Sequence, residues 1–133
     1  MACPHFRPQT RLPHPTGTAP APLGDLYAGG CLASGRTPDE ATTRELCNYG
    51  YARGRCPSFQ ADSPADAIRF SVRDHHGGVI LGAWAVEAAH RPHAWGAFRY
   101  DEGSAGLDGA PEEIASHLRV YLGSYLRRLW KND

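Results

Sequence analysis

At 133 residues, the chain is about one domain long and can bury a core without a metal or a disulfide to hold it together. Its 14 basic and 14 acidic residues balance, so no overall field draws it to nucleic acid or to an anionic membrane, although local patches are not excluded. Thirteen of the 14 basic residues are arginine, which suits bidentate anion recognition but is explained more simply by GC-rich coding.

The N-terminus lacks a basic stretch followed by an apolar one, and no apolar run approaches the ~18 residues of a membrane helix. The expectation is a soluble, cytoplasmic protein with no membrane and no nucleic-acid partner. In a reducing compartment disulfides are uncommon, which leaves four cysteines needing another explanation.

In chain order, residues 1–23 hold six of the 11 prolines and little apolar periodicity. Proline fixes φ and removes a donor, so this segment is expected to be extended and irregular, tied down by Cys3 and Phe6. Residues 24–36 are turn-rich around Leu26, Tyr27 and Cys31. Thr37, Pro38 and Glu40 then form a capping box with proline at the first helical position. A helix is expected from Pro38 to about Asn48, ended by Gly50, with Cys47 in its last turn.

From Ala67 the period changes. Ile68, Phe70 and Val72 alternate with Arg69, Ser71 and Arg73, the pattern of a half-buried strand. Residues 74–78, DHHGG, read as a hairpin connection, and 79–88, VILGAWAVEA, are apolar on both faces, as in a central strand. After the turn HRPH, residues 94–100 read as a third antiparallel strand. Beyond a glycine-rich loop, Pro111 opens a helix to about Lys131. Its residues Ile114, Leu118, Tyr121, Leu122, Tyr125 and Leu129 form one apolar stripe.

The expected fold class is therefore α+β: a three-stranded antiparallel meander packed by a C-terminal helix, with an irregular cysteine-bearing N-terminal half that contains one short helix. It forms a single domain over 1–133, loop-rich over 1–60 and ordered as sheet plus helix over 66–131. Open sheet edges are compatible with an edge-paired dimer.

Cys3, Cys31, Cys47 and Cys56 all fall in the first 56 residues, outside the periodic segments. Cysteines acting as small hydrophobes would be spread through those segments instead. The clustering points to a four-thiolate metal site, with disulfides or free thiols as the alternatives. The spacings Cys-x27-Cys, Cys-x15-Cys and Cys-x8-Cys contain no closely paired cysteines of the kind that build zinc knuckles. Iron-sulfur clusters tolerate varied spacing, and a ligand cysteine is often followed by proline, as in Cys3-Pro4 and Cys56-Pro57. Gly29, Gly30, Gly50 and Gly54 would let backbone approach a bulky anion, Tyr49, Tyr51 and Phe59 would screen it, and Arg53 or Arg55 would offset its charge.

The blocks GDLYAGGC, CNYGYARGRCPSF and AIRFSV resemble those of a set of small bacterial proteins without an assigned activity. The resemblance covers most of the chain. It implies a shared cysteine framework and names no substrate.

His75 and His76 stand at one end of the second strand and His90 and His93 at the other. A strand of about ten residues separates them by ~30 Å, so the two pairs cannot share a metal. His90, His93 or His5 would be the ones near the cysteines, as a replacement ligand or a donor to a cluster sulfur. No catalytic signature or phosphate loop is present. The leading expectation is one 4Fe-4S cluster on Cys3, Cys31, Cys47 and Cys56, in an electron-transfer, redox-sensing or structural role with a redox partner protein. The alternatives are a structural four-cysteine zinc module that binds another protein, and an enzyme using His90, His93 or a reactive Cys56.

Overall fold

The period of two that begins at Ala67 builds the main sheet. In the computed structural model, which describes residues 2–13, 21–60 and 62–131, β3 (Ala67–His76), β4 (Val79–Ala88), β5 (Arg91–Asp101) and β6 (Gly106–Asp108) form an antiparallel meander in that order. Ile68, Phe70, Ile80 and Phe98 are buried on one face, while Arg69, Ser71, Trp95 and Ala97 are exposed on the other.

The meander has four strands where three were expected. A turn over 102–105 returns the glycine-rich loop, so that Asp108 pairs with Arg99 and Leu107 with Tyr100. The first hairpin is tighter than expected, because Asp74, His75 and His76 stay in β3. Only Gly77 and Gly78 turn, both at positive φ, the conformation a two-residue hairpin loop requires.

The C-terminal stripe packs on the core face of this sheet. In α2 (Glu112–Lys131), Ile114, Leu118 and Leu122 are buried, and the Tyr121 ring meets Phe70 with 5.4 Å between centroids. Leu129, expected to belong to the stripe, is exposed. Arg127 reaches back to Asp25 at 3.0 Å and the Tyr27 hydroxyl at 2.8 Å, beside a Ser124 hydroxyl that also donates to Asp25.

The N-terminal half is more regular than its prolines suggest. β1 (Phe6–Leu12) and β2 (Leu26–Cys31) form a separate antiparallel pair. Pro8 is accommodated because the register shifts between Pro8 and Thr10, and an irregular edge position does not need the missing N–H. Gly29 lies opposite Pro8, and a Cβ there would overlap the Arg7 carbonyl oxygen. This close approach requires glycine. Residues 14–20 of the proline-rich stretch lie outside the described residues.

The first helix is also revised. α1 (Glu40–Thr42) continues as a wide π-type turn, Thr43–Cys47. Its N-cap is Asp39, not Thr37, because the Asp39 carboxylate accepts from the Thr42 amide at 2.8 Å, satisfying one of the free donors of the first turn. Ala2 joins the halves through reciprocal backbone hydrogen bonds with Ile68 at 2.9 and 2.8 Å. Phe6, Leu23, Ile68, Leu118 and Leu122 then share one core.

Candidate functional site

The four cysteines arrive from four different pieces of backbone and line one cavity of about 380 Å³. Cys3 opens a turn closed by the Phe6 amide on the Cys3 carbonyl at 3.1 Å. Cys31 ends β2, and its carbonyl accepts from Gly35 at 2.8 Å. Cys47 is the last residue of the π-type turn. The Cys56 amide donates to Ala52 at 2.8 Å, and the Cys56 carbonyl accepts from Phe59 at 3.1 Å. All four are free thiols.

Two polar anchors hold these pieces in register. The Cys3 amide donates to the Cys47 carbonyl at 3.0 Å. Asn48, fully buried, accepts from the Tyr27 amide at 2.9 Å and donates to the carbonyls of Tyr27 and Thr43 at 2.9 and 2.7 Å. It therefore ties β2, which carries Cys31, to the turn that carries Cys47.

Burial pushes the Cys3 thiol up to about 11; the backbone amides of His5 and Phe6 offset part of this, and the facing Cys31 and Cys56 add to it. Cys47 is pushed up to about 12, again mainly by burial and then by Cys3, Cys31 and Cys56. Thiolates lining one cavity oppose one another, so deprotonating them together is favoured by a cationic group in the cavity.

His5 lines the same cavity, and its buried Nε2 has no hydrogen-bond partner among the described residues. Its ring meets Phe59 edge-on, 4.7 Å between centroids. Arg53 lies over the Phe59 ring, 4.9 Å from its centroid, and pairs with Asp66 at 2.8 Å. Arg53 thus fastens the loop that carries Cys56 to the start of β3. Arg55 is exposed.

Of the aromatic residues expected to screen the cysteines, Phe59 lines the cavity and the two tyrosines do not. Tyr49 is exposed. Tyr51 turns to the sheet, where its hydroxyl donates to Glu87 at 2.6 Å and its ring stacks on His90, 4.2 Å apart and 7° from parallel. Tyr51, Ala89 and His90 all have positive φ, a backbone conformation that costs non-glycine residues energy. Glycine supplies the same turn at Gly50, where a Cβ would stand 2.8 Å from that of Ala67.

The second histidine pair is not part of the site. His90 is held by Tyr51, and His93 is exposed in β5. At the far end of β4, His75 contacts the Tyr125 hydroxyl at 3.2 Å and Glu102 at 2.8 Å. The structure adds a residue that sequence reasoning passed over. His117 is fully buried on α2, and its Nε2 lies 3.2 Å from the Cys3 carbonyl. Its place three residues after Ile114 and four before Tyr121, on the apolar stripe, was the available signal.

Among the described residues, no three His, Cys, Asp or Glu side chains converge closely enough to hold a single metal ion. Also among them, no helix is long and apolar enough to cross a membrane. No family model, curated protein or solved structure matches the chain.

Proposed function

We propose that Cys3, Cys31, Cys47 and Cys56 together bind one 4Fe-4S cluster. The observation that carries this reading is that all the cysteines of the chain, separated by 27, 15 and 8 residues, line one cavity. A single zinc ion needs four sulfurs each ~2.3 Å from one point. A cubane instead takes one thiolate at each of four corners, which better suits sulfurs distributed around a cavity of about 380 Å³.

The cavity wall fits such a group. The backbone amides of His5 and Phe6 favour the Cys3 thiolate, and such donors stabilise a cluster and tune its potential. Phe59 supplies an apolar wall, and His5 brings a buried nitrogen with no protein partner. When bound, the cluster supplies a one-electron redox centre. Four protein thiolates leave no iron position open to a substrate, which favours electron transfer, redox sensing or a structural role over catalysis. The role implies a redox partner protein and the reducing conditions of the cytoplasm.

Burial pushes Cys3 and Cys47 towards the inert thiol form, the opposite of what a nucleophilic cysteine needs. The test is iron content in Cys3→Ser, Cys31→Ser, Cys47→Ser and Cys56→Ser, each purified without oxygen. Each variant is expected to lose iron. Full iron content in three of the four overturns the assignment.

A further inference from the structure

The outer face of the sheet is the surface on which the reading above makes no demand. It forms a shallow trough of about 1070 Å³. In register across three strands stand Arg69, Ala85 and Trp95, and beside them Ser71, Ala83 and Ala97. The small side chains make a flat floor. From it rises Trp95, at 70 % the most exposed large hydrophobic residue among the described residues.

The rim is basic. Arg69, Arg73 and Arg91 line the trough and no carboxylate does. Arg69 has Glu87 beside it at 3.4 Å, but Glu87 is buried and also engaged by Tyr51. Among the described residues, Arg73 and Arg91 make no ion pair. The balanced charge of the whole chain therefore conceals one trough whose lining charges are all positive. The weak long-range field expected from the net charge is unaltered; what this face offers is contact at short range.

We infer that this face binds single-stranded nucleic acid, with a base stacked on Trp95 and the phosphate backbone against Arg69, Arg73 and Arg91. A flat platform with an exposed indole accepts the face of any base, and guanidinium groups beside it meet phosphate oxygens in bidentate fashion. A second copy of the chain suits the surface less well. Two-fold self-pairing would set the three arginines against their own counterparts, with no lining carboxylate to meet them. Duplex is also disfavoured, because its bases are already stacked and do not offer a face to Trp95. The inference does not depend on the cysteine site.

The test titrates the full-length protein into short fluorescein-labelled oligo-dT and oligo-rU, reading anisotropy and tryptophan fluorescence at about 50 and about 200 mM salt. Saturable binding that weakens with salt is expected, and the tighter of the two oligomers identifies DNA or RNA. Trp95→Ala is expected to weaken binding about 5- to 100-fold, and Arg73→Gln to reduce the salt slope by about 0.7. Both side chains are exposed, so thermal melting should match the parent protein. Three results overturn the inference: no binding to either oligomer at the lower salt, binding that Trp95→Ala and an Arg73→Gln/Arg91→Gln double variant leave unchanged, or a dimer in sedimentation that Trp95→Ala dissociates.

Discussion

The amide of Cys3 donates to the carbonyl of Cys47 across 3.0 Å, fixing a proline-flanked N-terminal turn against the end of a helical segment 44 positions later in the chain. Both residues are 7 % exposed, and Cys3 adds to burial in raising the resistance of Cys47 to ionisation. A metal-free protein must tolerate two buried, protonated thiols here. Coordination removes that requirement by neutralising them as thiolates.

Gly29 and Gly30 make a matched pair of probes. A Cβ at Gly29 overlaps the Arg7 carbonyl, whereas nothing lies within 4 Å of one at Gly30. Gly29→Ala is expected to cost about 2 kcal/mol or more, by forcing β1 from β2, and to lower iron content by displacing Cys31. Gly30→Ala should change neither by a comparable amount. Urea titration with iron analysis on the same samples compares them.

Asn48 is the polar link between Cys31 and Cys47. Asn48→Ala leaves the Tyr27 amide and the carbonyls of Tyr27 and Thr43 without their partner. A loss of about 2–4 kcal/mol in unfolding free energy is expected. Asn48→Asp retains the acceptor but not the donors, so it should remain strongly destabilised in the same denaturant titration.

Tyr51 anchors the loop between Cys47 and Cys56 in two separable ways. Tyr51→Phe removes the hydroxyl bond to Glu87 but retains the stack on His90; a cost of about 1–2 kcal/mol with iron content retained is expected. Tyr51→Ala removes both contacts and should reduce iron content as well. Melting temperature and iron per chain, measured for both variants, distinguish the two contributions.

Acid sensitivity should arise in part at Asp66. The Ala89 amide, and then Arg53, hold its carboxyl below the usual carboxylate range. A folded-state value lower than the unfolded one means the unfolded chain takes up the proton more readily. The stabilisation is therefore complete above the unfolded value of about 3.9 and is lost as pH falls through the lower folded value. Asp66→Asn is expected to be less stable than the parent at neutral pH, and its stability should fall less steeply below about pH 4. Denaturant midpoints measured across that range give both slopes.

β3 and the long helix were legible because their apolar residues repeat with periods of two and of three to four, and β4 because a run apolar on both faces suits a central strand; burial follows the helix stripe except at Leu129. The cysteine cluster was legible because all four thiols lie outside the periodic segments. β1 was hidden by its proline and β2 by its glycines, since their pairing depends on an irregularity at Pro8 and a missing side chain at Gly29, neither of which leaves a periodic trace. β6 is only three residues long within a glycine-rich loop. The task of Arg53 was not legible at all: its pairing with Asp66 is made by the fold, and the same arginine in the sequence fits a charge-offsetting role equally well. Asn48 and Glu87 are similar, as polar residues whose burial is decided by distant partners.

The most direct measurement is anaerobic purification of the full chain, followed by its visible spectrum and its content of iron, zinc and acid-labile sulfide. The expected result is brown protein with about four irons and about four sulfides per chain. Colourless protein with one zinc, or with no metal after anaerobic reconstitution with iron and sulfide, would contradict the cluster assignment.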